Sequence, residues 1–468
     1  MKLNKIYIKG ILVILSFGLF SCNKWLDVEP KSQVRDNDLF STETGFKEAL
    51  AGVYTSLTYE PLYGREMSFG LMGVVGYEWD FQAQSYDSDK FFEYTSDQSI
   101  SRIDAIWNGI YTAIANNNKI LQEIDVQKSI FQQDNYEVIK GEALALRAFL
   151  HFDLLRVFGA SFEENPNKMA IPYFTKTGKE IAPQLTVTQV IDLAIADLNE
   201  AAELLKRDPL VTGRTITTLV DKGYLMNRQL HLNYYAVKGL LARIYLYKKD
   251  LLKAYENANI VLESGKFPWI SKDNIATNKI FSTEHLFALN VTRLETIHEN
   301  NFTQGANNVF YISDASFREY YLSQDYRYLH WFSTTSDGNH LLNKYSQEGI
   351  LTESRNRIPL LKMSEMYFIA AEVLKETDIT KAANLINTVR QNRGLAPTTI
   401  DLTNIDAVLQ QEYRNEFIGE GQLFFMYKRK NLPRIPRAAS YDIITLKGYK
   451  LPIPISEFNN APGRVNNR

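Results

Sequence analysis

No proline falls between residues 62 and 165. A stretch of that length without the residue that breaks a helix from inside is what long helices require, and apolar residues recur through it at helical spacing. Phe46, Ala49, Leu50, Val53, Tyr54 and Leu57 follow the start signal Ser41-Thr42-Glu43-Thr44. Ile103, Ile106, Trp107, Ile110, Tyr111, Ile114, Leu121 and Ile124 mark a longer helix, and another covers about 136–158 and ends at Gly159. Further on, helices are expected at about 187–205, 231–248, 251–264, 360–376 and 379–393, with Gly265 and Gly394 closing two of them. Strand-like alternation is scarce. Pro452, Pro454 and Pro462 predict an extended C-terminus. The expected fold class is mainly α.

Two helix pairs share a rhythm. Ala242 and Ala254 stand twelve apart in one, and Ala371 and Ala383 stand twelve apart in the other. Small residues at that spacing let two helices cross closely, as in tetratricopeptide-like repeats. The pairs are far apart in sequence, which predicts a repeat scaffold interrupted by long insertions, and such insertions usually carry function. Any antiparallel helical hairpin that uses Ala at its crossing is the alternative.

Composition narrows the function. Lys plus Arg total 52 against 54 Asp plus Glu in 468 residues, so no basic excess points to nucleic acid. With 45% of residues hydrophobic, the chain is not of the disordered kind. A single cysteine excludes a disulfide framework and a multi-thiolate metal site. The 27 tyrosines exceed what a core needs, because a buried hydroxyl must find a partner, and they suggest an aromatic, polar surface.

That one cysteine also has a telling position. Lys2, Lys5 and Lys9 precede an uncharged run, Gly10 to Phe20, which is too short for the roughly 20 residues that span a bilayer. A basic start, a short apolar stretch and a small residue read as a secretory signal. The sequence LFSC resembles a bacterial lipobox, in which the signal is cut before the cysteine, here Cys22, and that residue is acylated on sulfur and amine. More than one acyl chain makes a durable anchor. An ordinary signal with an incidental Cys22 is the plainer alternative.

Catalytic signatures are few. The histidines (His151, His231, His285, His298, His330, His340) form no H-E-x-x-H and no pair at helical ligand spacing. There is no G-x-S-x-G elbow. Gly70, Gly73 and Gly76 lack the Lys-Ser/Thr of a phosphate loop, so a small-residue helix face or a loop is the expected reading. Carboxylate pairs for glycoside hydrolysis are not singled out by any local signature.

Taken together, the motifs resemble one family. CNKWLDVEPKSQ followed by LFSTETGFKEALAGVY is similar to the N-terminus of SusD/RagB outer-membrane lipoproteins. KGEALALRAFLHFDLLRVFGA, IPLLKMSEMYFIAAEVL, LINTVRQNRGL, EYRNEFIGEGQLFFMYKRK and LPIPISEFN follow in the family's order, from Cys22 to near Arg468. One motif departs: Leu423 and Met426 replace an arginine and an aspartate, which puts a C-terminal ion pair in doubt. The resemblance implies tetratricopeptide-like helix pairs as a scaffold, with looped insertions as a ligand face. It implies a lipid-anchored, surface-exposed protein of the outer membrane that captures glycan, or sometimes peptide, for a SusC-like TonB-dependent transporter. It implies no enzymatic activity and no cofactor. The expected organisation is a signal peptide at 1–21, a lipidated tether at 22–40, a SusD-like N-terminal region at 41–230, a central helical-repeat region and loop at 231–304, and a RagB/SusD C-terminal region at 305–468. A secreted helical glycoside hydrolase and a transporter lid without ligand affinity of its own are the rival functions.

The family's hallmarks are structural positions, so the ligand face is read from chemistry. Sugars offer apolar C–H faces to aromatic rings and hydroxyls to polar side chains. Two aromatic, polar insertions fit, Gly76–Tyr94 and Ala315–Phe332. Trp79 and Trp331 are the expected stacking platforms and Tyr86 a secondary one, with Asp80, Asp87 and Arg327 as hydroxyl partners. The competing expectation is that these rings pin their loops to the scaffold. Trp107 and Trp25 are expected to be structural, and Trp269 is undecided.

Overall fold

The computed structural model describes residues 38–468 apart from 179, 220, 307–308, 439–441 and 446. The leader, Cys22 and Trp25 lie outside the described residues. Helix α1 (Glu43–Ser56) begins where the start signal places it, with the Thr42 side chain accepting a hydrogen bond from the Gly45 amide. The proline-free stretch holds α2 (Asp97–Ile124), capped by Ser96, and α3 (Asn135–Phe158). Then come α4 (Val187–Leu204), α5 (Tyr234–Tyr247) and α6 (Leu251–Glu263). A long excursion follows before α9 (Met363–Leu374) and α10 (Ile379–Gln391). Each of α2, α3, α4, α5, α6, α9 and α10 packs on the next, which makes one continuous stack of helix pairs.

Helix α3 is the axis of that stack and is buried on nearly every side. Its polar residues survive burial because each has a partner. Glu142 accepts from Arg228, His231 and the Tyr54 hydroxyl. Arg147 makes a forked pair with Asp197 on α4 at 2.7 and 2.6 Å. Asp153 accepts from the Tyr63 hydroxyl at 2.6 Å and pairs with Arg156. The polar residues of EALALRAFLHFDLLRVF are therefore the internal ties of the scaffold. Gly141 has to be glycine for a different reason: a Cβ there would stand 2.7 Å from the Leu205 side chain, where α3 meets the end of α4.

The small-residue crossings are present. Ala242, Ala254 and Ala371 are fully buried, and α6 packs on α9, so the two pairs adjoin despite their separation in sequence. On α10 the buried small residue is Ala382, while Ala383 is only partly covered. Two boundaries differ from expectation. Residues 360–362, the start of the run expected as a helix, belong instead to a fully buried strand, Arg357–Lys362, and the helix begins at Met363. The C-terminus carries one short helix, α13 (Ile455–Asn460), between Pro454 and Pro462.

The excursion supplies most of the strands. β3 (His285–Asn290) pairs antiparallel with β7 (Arg357–Lys362) in the register His285 to Lys362 and Asn290 to Arg357. β4 (Tyr311–Ile312), β5 (Phe332–Thr334) and β6 (His340–Leu342) form a second sheet in the order β4-β6-β5. Between β4 and β5 lie the short helices α7 (Asp314–Tyr320) and α8 (Tyr326–His330). A third, two-stranded sheet joins β1 (Met169–Pro172) to β2 (Gln184–Thr186) ahead of α4. Helices α11 (Ile405–Phe417) and α12 (Gln422–Arg429) close the C-terminal side. Leu423 and Met426 are both buried on α12, which is tied to α9 by the forked Arg429–Glu372 pair at 2.9 and 2.7 Å. No described helix is long and apolar enough to cross a membrane.

Candidate functional site

The loop after α1 is shaped by its glycines. Gly73 sits in a single helical turn, Leu71–Val75, and a Cβ on it would lie 2.7 Å from Nε1 of Trp79. The indole occupies that space, donates to the Phe69 carbonyl at 2.8 Å and packs against Phe302 and Phe310. Trp79 is only 2% exposed. Tyr86, at 3%, donates to the Glu66 carboxylate at 3.0 Å, with Arg102 over its ring at 3.7 Å. Trp331 is fully buried, donates to the Lys279 carbonyl at 2.6 Å and faces Phe281 and the Lys344 ammonium. A ring sealed to this degree offers no face to a sugar. Contrary to the stacking expectation, all three pin their loops to the scaffold in this structure.

Arg327 is likewise interior. It is fully buried and pairs with Asp325 (2.7 Å), Glu412 (3.0 Å) and Glu416 (3.2 Å). Arg393 continues the cluster, reaching Glu416 at 2.7 Å and Glu284 at 2.6 Å, and Lys362 joins Glu416 to Glu420. Burial alone would raise the Glu416 carboxyl. The charges of Arg393, Lys362 and Arg327 overcome that and hold it well below the usual carboxylate range. All three guanidinium nitrogens of the fully buried Arg327 are engaged within the cluster, so the group expected as a hydroxyl partner is part of the framework.

Asp80 does reach the surface, and it joins the two loops. Its Oδ2 accepts from both the amide and the hydroxyl of Ser313, each at 2.8 Å, and it pairs with Arg437. Beside it the backbone bridges: the Tyr311 amide donates to the Phe81 carbonyl at 3.2 Å, and the Tyr311 carbonyl accepts from Asp80 at 3.1 Å. The loop before α2 therefore meets the chain at Tyr311–Ser313, just ahead of the Ala315–Phe332 segment. Asp87 is exposed in the first turn of Asp87–Lys90, and its charge is felt by Lys90, which donates to the Asp80 carbonyl and Gln82.

At this junction lies a pair of rings that the sequence reading passed over. Phe81 and Tyr311 stack with centroids 4.5 Å apart and planes 18° from parallel. Phe81 is 51% exposed. A bend at Asp80 turns the chain between Trp79 and Phe81, so one ring goes inward and the next outward. Polar groups surround the pair: Asp80, Gln82, Lys90 and Arg437, whose Nη2 donates to Ser316 at 2.8 Å while its Nη1 has no hydrogen-bond partner among the described residues. Partial burial lowers the readiness of Arg437 to stay protonated, and partial burial together with the Asp337 charge raises the Tyr311 hydroxyl. The arrangement is a flat apolar platform ringed by hydrogen-bonding groups. No cluster of three or more metal-ligating side chains occurs among the described residues.

Comparison with known proteins agrees with this architecture. A family model described as starch-binding and associating with the outer membrane, SusD-like, matches residues 24–246, and the SusD family model matches 226–434. Among curated relatives, SusD-like protein P38 of Formosa agariphila is 24% identical, with 90% of each chain covered. SusD-like protein P2 of the same organism is 21% identical over 90% of this chain and 89% of its own. A SusD superfamily structure from Bacteroides thetaiotaomicron superposes with a TM-score of 0.72 at 22% identity, covering 91% of this chain and all of the other. Surface glycan-binding protein A from Bacteroides uniformis superposes at 0.70 and 18% identity, over 91% and 99%. With two adjoining models of one family spanning 24–434 and the same helical scaffold throughout, the chain belongs to the SusD/RagB family.

Proposed function

We propose that this protein is a cell-surface lipoprotein that holds oligosaccharide on the Phe81–Tyr311 face and passes it to a SusC-like TonB-dependent transporter in the outer membrane. The observation that carries this reading is the solvent-facing stacked pair at the junction of the two loops, ringed by Asp80, Gln82, Lys90 and Arg437. A pyranose places its C–H face on such a platform and exchanges hydroxyl hydrogen bonds with the rim, each worth only ~0.5–1.5 kcal/mol net. Family membership supports the class of ligand, as do the descriptions of similar structures as a SusD-like carbohydrate binding protein from Bacteroides vulgatus and a surface glycan-binding protein. The anchor in this proposal is Cys22, acylated after removal of residues 1–21, with 22–40 as tether. The regions 41–230, 231–304 and 305–468 then form the scaffold and face.

Incubation with a panel of oligosaccharides, followed for both binding and product formation, tests the proposal. Binding without cleavage, together with co-purification of a β-barrel transporter from cells, is the expected result. Cleavage would replace it with a hydrolase, and co-purification without any binding would replace it with a lid.

A further inference from the structure

A second cleft lies against α2. Its walls include Tyr111 and Ala115 of α2, Phe174, Lys176 and Thr177 of the segment that follows β1, and Glu457 of α13, with Trp107 of α2 behind, and its volume is about 380 Å³. That is within the roughly 300–1,000 Å³ of small-molecule sites. None of these residues belongs to the Phe81–Tyr311 face.

The walls are aromatic and held in place. The half-buried rings of Tyr111 and Phe174 meet edge-on at 5.5 Å and form the aromatic surface, while Trp107, only 2% exposed, backs Tyr111 at a centroid distance of 4.8 Å. The Phe174 amide donates to Nε2 of His151 at 3.0 Å, and its carbonyl accepts from Nδ2 of Asn118 at 2.8 Å. Burial holds the His151 pKa down to about 3, so the ring is neutral and its Nε2 free to accept. The Tyr111 hydroxyl donates to the Pro172 carbonyl at 3.0 Å. The wall is thus fixed to the scaffold at three points before any ligand arrives.

The polar groups indicate what fits. Asn118 lines the cleft, is fully buried, and its Oδ1 has no donor among the described residues. Asn108 adds an exposed amide at the mouth. The one carboxylate, Glu457, is already paired with Arg464 at 3.2 Å. Half-buried rings, an amide, the exposed Lys176 ammonium and an acid already paired suit a ligand that carries hydroxyls and has an apolar ring face. We propose that this cleft is a second saccharide site, sized for a single pyranose and independent of the face proposed above.

The test uses the full chain in a sugar-free zwitterionic detergent, labelled with 5-fluorotryptophan, with the Trp107 resonance assigned by Trp107→Phe. Methyl glycosides of glucose, galactose, mannose and xylose are added at millimolar concentration. A saturable shift of the Trp107 resonance with at least one of them is expected. The shift should vanish in Ala115→Phe, which fills the mouth from an exposed helix position, fall severalfold in Asn108→Ala, and persist in Phe81→Ala. Absence of any shift in the parent overturns the second site, as does a shift that survives Ala115→Phe. A shift lost in Phe81→Ala but kept in Ala115→Phe overturns it while leaving the first face standing. Calorimetric binding of oligosaccharide without a Trp107 response has the same meaning.

Discussion

One carboxylate oxygen of Asp80 accepts two hydrogen bonds from Ser313, from its amide and from its hydroxyl, each at 2.8 Å. Ser313 is also the N-cap of α7, so this contact sets where the C-terminal loop begins relative to the N-terminal one. Asp80→Ala removes both hydrogen bonds and the Arg437 pair. Hydrogen exchange at residues 311–316 should rise several-fold. Glycan affinity should drop with it, while the melting temperature moves by only a few degrees, as for a loss of about 1 kcal/mol at a partly exposed site. Unchanged exchange in that segment would mean that the loops are registered by something other than Asp80.

The buried charge cluster predicts a different response. Removing one member leaves its partners charged and without compensation in the interior, at a cost of ~3–5 kcal/mol. Among the described residues, Arg393→Met strands Glu284 and takes one of three cations from Glu416, and Arg327→Met strands Asp325 and takes one of two cations from Glu412. Denaturant titration should show both far less stable than the parent. A loss below about 1 kcal/mol in both would show that the cluster is not integral to the framework.

Trp79→Ala and Trp331→Ala should act alike, as cavity-forming changes that cost ~3–5 kcal/mol. Their indole hydrogen bonds, to the carbonyls of Phe69 and Lys279, are lost as well. Thermal melts would contradict the buried placement if either variant unfolded with the parent.

Close helix crossings offer a test of the scaffold. Ala242→Leu and Ala371→Leu insert side chains where neither residue has any exposed surface, and overpacking of that kind costs ~1–3 kcal/mol. Both variants should lower the denaturation midpoint. Parent-like midpoints in both would remove the repeat-like crossing from the account.

Acid–base behaviour should carry the mark of Glu78. Burial pushes its carboxyl up to about 8 from 4.5, against the Gly419 amide that donates to it at 2.8 Å and the nearby Arg414 charge. A folded pKa above the unfolded one means that the folded protein keeps a proton the unfolded chain has released. Its contribution to stability is therefore complete below pH 4.5 and is lost as pH rises through about 8. Glu78→Gln should flatten the decline in stability between those values. His151 acts at the other end: burial holds it down to about 3 from 6.5, so its contribution is present above 6.5 and fades as pH falls through about 3.

Much of this scaffold is legible in the sequence because helices leave a periodic trace. The stripes of Ile103 to Ile124 and Val190 to Leu205 announce the elements they form. β7 is not legible in that way. Arg357–Lys362 is buried on both faces, so Ile-Pro-Leu-Leu shows no alternation and merges with the helix that follows it. The site was half visible. Aromatic, polar loops locate the junction, but residue type does not say which ring faces water. A bend at Asp80 decides that Trp79 is structural and Phe81 exposed, and no local pattern marks the bend. Tyr311 lies just outside the segment singled out for its aromatic content, and Arg437 reaches the site from more than a hundred residues further on.

The central claim is that Phe81 and Tyr311 form the platform for oligosaccharide. Isothermal titration of Phe81→Ala and Tyr311→Ala against an oligosaccharide bound by the parent tests it most directly, with a thermal melt of each variant alongside. Phe81→Ala should abolish measurable binding and melt with the parent, because the ring is half exposed, and Tyr311→Ala should weaken binding at least tenfold. Full affinity in both variants would contradict it.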